Sequence, residues 1–200
     1  ANAGISAGAT AELRGAETEL TGGFRLMASN VTIDGLTILH GIGPAGIGDV
    51  TAIFMAAGGE GHVIQNNILV GSGVGRGILS TFNGGNDDIT IEGNDIGNWT
   101  TGVFNQGNTD VDVLCNYIHD NVAGVANDFV SDVLIQGNDF KANGEAVGVF
   151  GSGGLNVTFN DLDGNGTTVA HYGGEEAVDA IFNWWGTSDP AAIVASVRSD

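Results

Sequence analysis

Apolar residues along this chain do not recur at the helical spacing but in a block that repeats. The segments ITIEGNDIGN (89 to 98), VDVLCNYIHD (111 to 120), VLIQGNDFKA (133 to 142) and LNVTFNDLDG (155 to 164) each start 22 residues after the last. Anchored on their shared asparagine, the series runs Asn67, Asn94, Asn116, Asn138, Asn160 and Asn183, with Leu36 in the same place of an earlier unit. Apolar columns stand five residues before the anchor (Val31, Ile89, Val111, Val133, Leu155, Val178), three before it and two after it, and only His62 breaks them.

A spacing of two between the first columns is strand alternation, and the anchor interrupts it. The asparagine therefore predicts a corner, where it tolerates a left-handed backbone and stacks on its equivalents by hydrogen bonding. Asn121, Asn143 and Asn165, five residues after their anchors with Trp99 one unit earlier, predict a second corner. The steps Gly77-Ile78, Gly102-Val103, Gly124-Val125 and Gly148-Val149 predict a third strand per unit. Units this short bury an apolar face only by stacking. The chain is thus expected to be all-β, a single-stranded right-handed parallel β-helix of about seven coils, each of roughly 22 residues with three short strands. Residues 1–23 read as a lead-in or cap, 24–186 as coils and 187–200 as a C-terminal cap, with a short helix over AAIVASVR at 191 to 198 after Pro190.

Composition narrows the partners. Gly at 35 of 200 residues suits a backbone that turns often, and two prolines without a G-X-Y period exclude collagen. A net charge of -19, with Lys141 the only lysine, repels nucleic acid and anionic membrane surfaces, and opposes polyanionic substrates unless a cation bridges them. The single cysteine, Cys115, excludes an intramolecular disulfide and reads as a buried small residue. No apolar run approaches the roughly 18 residues of a membrane span, so no membrane insertion is expected.

ASNVTIDGLTILHG (28 to 41) and FNWWGTSDPAAI (182 to 193) resemble the opening coil and closing segment of the pectate-lyase-like β-helix repeat. That repeat occurs in secreted polysaccharide-active enzymes, periplasmic copper-accessory proteins and very large surface proteins of bacteria and archaea. The resemblance implies a secreted or cell-surface protein, and the chain is expected to be a segment or mature module of something longer. It leaves activity open, because the superfold hosts lyases, hydrolases, epimerases and non-catalytic adhesins.

Three constellations are candidates for chemistry. Tyr117, His119, Lys141 and Asp163 fall in neighbouring outward columns, together a base, an acid and a charge neutraliser of the kind a polysaccharide lyase or glycoside hydrolase needs. Leu79, Phe104 and Phe150 are expected to form an exposed stripe that binds sugar rings or protein. Asp87, Asp88, Asp110 and Asp112 are candidate calcium ligands, as are other acidic turns such as Glu175-Glu176. The face on which enzymes of this fold usually keep Arg or Lys with acids reads here as flat and apolar, with only Arg76 near, and the Tyr-Gly-Phe-Asp-Pro-His signature of mannuronan epimerases is absent. The leading expectation is a non-catalytic extracellular module, structural or adhesive, whose partners are a glycan or neighbouring copies of itself and whose one candidate cofactor is calcium. The alternatives are a polysaccharide lyase or glycoside hydrolase, and a self-assembling surface-array or filament subunit.

Overall fold

The computed structural model describes residues 18–39, 50–56, 58–81, 86–173 and 177–199. It is an all-parallel β-solenoid of three sheets, with strand orders that step one coil at a time. The first sheet contains Asp95–Gly97, Tyr117–His119 and Asp139–Lys141, the second Thr101–Gln106, Ala123–Asp128 and Glu145–Phe150, and the third Thr109–Leu114 and Ser131–Gln136. Six coils contribute a strand to every sheet, and a further coil is held by the strand Thr167–Tyr172 and by isolated bridges at Asp161 and Asp179.

The asparagine corner lies between the third and first sheets and is hydrogen-bonded through every coil. Asn94 N–H and Nδ2 donate to Asn116 Oδ1 at 2.9 and 3.0 Å, and Asn116 makes the same pair of bonds to Asn138. Each Nδ2 also reaches a carbonyl of the coil below, Ile91 for Asn116 and Val113 for Asn138. The ladder runs from Leu36 N–H, which donates to Asn67, to Asn183, across steps of 31, 27, 22, 22, 22 and 23 residues. Because these side chains are buried and hydrogen-bonded, the register holds across steps of unequal length. The second corner repeats the device with Asn121, Asn143 and Asn165. Trp99 replaces asparagine there: its indole N–H donates to Leu69 O at 3.0 Å, while its backbone N–H keeps the bond to Asn121.

The apolar columns form one continuous core, including Ile91, Val113, Ile135 and Ile96, Ile118, Phe140. His62 occupies its expected column opposite Ile89 and is 1% exposed. Desolvation pulls its pKa below the ordinary value, offset in part by the backbone of Val31.

Four expectations need adjustment. Thr18–Thr21 already pairs with Leu36–Leu39, so winding starts inside the segment read as a lead-in, whose residues 1–17 lie outside the described residues. In the third strand of the coil, Val125 pairs with Val147, which places Ala146-Val147, and not Gly148-Val149, in register with the Gly-aliphatic steps. Only a small residue fits that inward position, since a Cβ on Gly124 would stand 3.1 Å from the Phe140 ring. The C-terminal helix spans Pro190–Ser196, capped by Asp189, and Val197–Ser199 then adds a strand beside Val169–His171. Cys115 is exposed, because its outward position at the corner leaves nothing above it.

That outward position precedes the ladder in each coil. Gly35, Asn66, Gly93, Cys115, Gly137, Phe159 and Phe182 occupy it, all with φ between +53 and +72°. Glycine and asparagine suit this left-handed backbone, whereas phenylalanine there carries strain of about 1–3 kcal/mol.

Candidate functional site

The first sheet carries the predicted Tyr, His and Lys on its outward face. Its central residues, Ile96, Ile118 and Phe140, point into the core, so the flanking residues point out. One outward column reads Asp95, Tyr117, Asp139, Asp161, Trp184, and its neighbour reads Gly97, His119, Lys141. Asp163, two residues beyond Asp161, continues the second column, its carboxylate lying where a Cβ on Gly186 would stand.

These groups come together, but already partnered. His119 Nε2 lies 2.8 Å from Asp95 Oδ1 and Nδ1 lies 2.7 Å from Asp120 Oδ2, with the Tyr117 ring stacked on the imidazole at 4.4 Å. Burial alone would lower the His119 pKa, yet its hydrogen bonds to Asp95 and Asp120 outweigh this and hold it above the ordinary value. Lys141 Nζ reaches Asp161 Oδ2 and the Asp163 carbonyl, each at 3.3 Å, and stands 4.0 Å from Asp139. Burial raises the Asp139 pKa, with Lys141 opposing and Asp161 adding to the rise. Its Oδ1 is shielded from solvent and accepts no hydrogen bond among the described residues. A base clamped by two carboxylates and a lysine spread over two more make a stable charge network rather than a poised acid and base. Sequence reasoning missed Asp95 and Asp120, whose positions in the repeat were legible but whose reach to His119 was not.

The predicted stripe does not form. Leu79 is 2% exposed and packs with Phe54, Ala56 and Phe104 in a small second apolar cluster on the outer side of the second sheet. Phe150 lies one column over, in register with Asp128 and Tyr172. The face is also less bare than expected. Its central column runs Arg25, Phe54, Leu79, Phe104, Ala126, Gly148, Ala170, Arg198. Guanidiniums cover aromatic rings along it: Arg25 over Phe54 at 5.5 Å, Arg76 over Phe104 at 4.7 Å and Arg198 over Tyr172 at 4.8 Å. Tyr172 O–H donates to Glu145 Oε2 at 2.6 Å and its ring stacks on Phe150. A recess of about 100 Å³ beside Arg76 is lined by Gly75, Thr100 and Thr101.

The acidic turns are adjacent as expected, since Asp87 is opposite Thr109 and Asp112 opposite Thr90. Asp87 Oδ1 is engaged by the Thr109 hydroxyl at 2.7 Å, and Asp88 and Asp110 take left-handed backbone positions. Burial first, then the charges of Asp110 and Asp88, raises the Asp112 pKa. Among the described residues, no three His, Cys, Asp or Glu side chains converge as a metal site. Glu175 and Glu176 lie outside them.

The family model described as periplasmic copper-binding protein (NosD) matches residues 16–191. Among solved structures, the mannuronan C-5 epimerase AlgE6 A-module of Azotobacter vinelandii is similar at 17% identity, covering 84% of this chain and 53% of that one, with a TM-score of 0.37. The chain thus spans about half the length of that module. No curated protein matches. The described residues do not fit copper: His62 and Met55 are in the core, His171 shares the column of the buried Val149, both His119 nitrogens are occupied by carboxylates, Met27 and Cys115 are exposed on different coils, and no three His, Cys, Asp or Glu converge.

Proposed function

This chain belongs to the NosD family of periplasmic copper-binding proteins, and from that premise we propose that it is a non-catalytic extracytoplasmic β-helix module that binds a glycan along its side. The periplasmic description of the family supports the location. The observation that carries the reading is the first-sheet surface, where the base and the lysine are neutralised by Asp95, Asp120, Asp139 and Asp161 while Tyr117 and Trp184 stand in the same outward column. Flat aromatic faces beside carboxylates match saccharides, whose rings present C–H faces and hydroxyl donors. Trp184 is 53% exposed, not folded over the end of the core, so its ring adds to this surface.

The test is an array of neutral and acidic glycans, probed with and without calcium and followed by product analysis. Retention of a glycan without bond cleavage supports the reading, and Tyr117→Ala with Trp184→Ala should weaken that retention at least tenfold. Turnover that disappears in His119→Ala or Lys141→Ala would replace it with an enzyme at this face. Binding lost on chelation would restore calcium.

A polysaccharide-acting enzyme on the second sheet is the alternative, favoured by the Glu145, Tyr172, Arg198 cluster: a phenol in contact with a carboxylate on one side and a guanidinium on the other. Its signature would be polyuronate turnover abolished by Tyr172→Phe.

A further inference from the structure

Phe159 and Phe182 sit where the fold asks for glycine or asparagine. Both have left-handed backbones, both are exposed (60% and 69%), and their rings stack at 5.2 Å and 17°. Neither packs on the core, so the fold gains little from them there. Phe182 covers one face of the Phe159 ring, which turns the other face along the column toward Gly137. Gly137 has no side chain, and the next residue in the column is Cys115, whose Sγ is 3.2 Å from where a Gly137 Cβ would stand. A slot therefore opens over Gly137 between the Phe159 ring and the Cys115 thiol, two strand spacings or about 9.6 Å across at the backbone. Asp139, two residues from Gly137, and Asp161, two residues from Phe159, stand side by side in the neighbouring outward column.

We propose that this slot is a subsite for one neutral sugar ring, stacked on Phe159 above Gly137, and that the ligand continues past Phe182 toward Trp184. The inference rests on the glycan-binding reading and names its ligand class. Charge selects that class. Asp139, Asp161 and Asp163 border the site, so a uronate would be repelled, and an apolar protein surface would have to strip water from these carboxylates. A neutral hydroxylated ring lays its C–H face on the aromatic ring and brings no charge against these carboxylates.

Cys115, the only cysteine, reports on the slot. The rate of its alkylation by a maleimide is measured in the intact chain with hexamers of cellulose, mannan and chitin, and with hexamannuronate as the acidic probe. At least one neutral hexamer should slow the reaction fivefold or more, and hexamannuronate should not. Phe159→Asn keeps the left-handed backbone, as Asn66 does in an earlier coil, and Gly137→Asn fills the floor. Both should abolish protection and lower affinity at least tenfold. Phe159→Leu should do the same, since it keeps apolarity without a flat ring. Thermal scans check that each variant folds.

If a neutral hexamer binds but Phe159→Asn and Gly137→Asn leave its affinity within twofold, the subsite is wrong and the glycan-binding reading stands. Binding with no change in the Cys115 rate overturns the subsite equally, as does preferential binding of hexamannuronate lost in Arg198→Ala. If no glycan of either class binds, the subsite and the reading fall together.

Discussion

The outward faces of the first and second sheets set their cations in different surroundings. On the first, His119 and Lys141 are held by carboxylates of their own and neighbouring coils. On the second, Arg25, Arg76 and Arg198 rest on aromatic rings. A cation beside carboxylates has its charge matched in place, and one lying over a ring is held by the negative face of that ring as well. In a chain of net charge -19 this leaves the first face acidic and aromatic, suited to a neutral hydroxylated ligand. The second is the face on which the three described arginines stand. The two faces share one scaffold, and substitutions can separate what each owes to it.

The largest effect should come from the scaffold itself. Asn116→Ala leaves the Asn94 donors and the Ile91 carbonyl without a partner, at a cost on the order of 3 kcal/mol. For a chain of this size that is a fall of about 10 °C in Tm by calorimetry, with binding at both faces lost together. An equal loss of stability with only one face affected would mean the faces are built independently of the ladder.

Smaller changes should divide the faces by pH. His119 has a folded pKa above its ordinary 6.5, so its contribution to stability is complete below that value and fades as pH rises through the folded pKa. Wild type should therefore lose Tm relative to His119→Gln as pH is raised from 6 to 9. Arg198→Ala, which removes a cation from the Tyr172 ring, should lower stability by about 0.5–1 kcal/mol equally across that range. His62 shifts the other way: its depressed pKa means stability is present above 6.5 and lost as pH falls through the folded value. His62→Val, restoring the column of Val31 and Ile89, should remove that acid loss in a pH series of thermal scans.

The smallest effect is expected where the fold is strained without gaining from it. Phe159→Asn should leave Tm unchanged or raise it slightly, because asparagine relieves the left-handed backbone and only an exposed ring stack is lost. A clear fall in Tm would show that the Phe159–Phe182 stack is structural.

The ladder could be read from sequence because few side chains can make the four bonds of a buried asparagine, and so it recurs once per coil. The third corner could not. Asn86, Asn108, Val130 and Ser152 succeed one another there, with Asn86 N–H donating to Asn108 and Val130 N–H to Ser152, and mixed residues leave no column to see. Gly148-Val149 imitated Gly124-Val125 because alanine serves as well as glycine at the inward position, and that two-residue slip put Phe150 in the wrong column. Without that slip Phe104 and Phe150 would not have been read as one stripe. The arginine face was hidden for a different reason. Arg25, Arg76 and Arg198 come from coils of unequal length and from a strand after the C-terminal helix, so only the folded register aligns them. The carboxylates around His119 were in plain sight as types, but side-chain reach across coils is not written in spacing. For Phe159 and Phe182 the signal was available: two bulky residues in a column otherwise filled by small or left-handed types.

The central claim is that the first face binds a glycan and leaves it intact. Isothermal titration of the intact chain with the neutral hexamers, followed by mass analysis of the recovered sugar, tests it most directly. The account predicts saturable binding of at least one hexamer, abolished by Tyr117→Ala with Trp184→Ala, and full recovery of unshortened sugar. Recovery of shortened or unsaturated products, or no binding to any neutral hexamer, would contradict it.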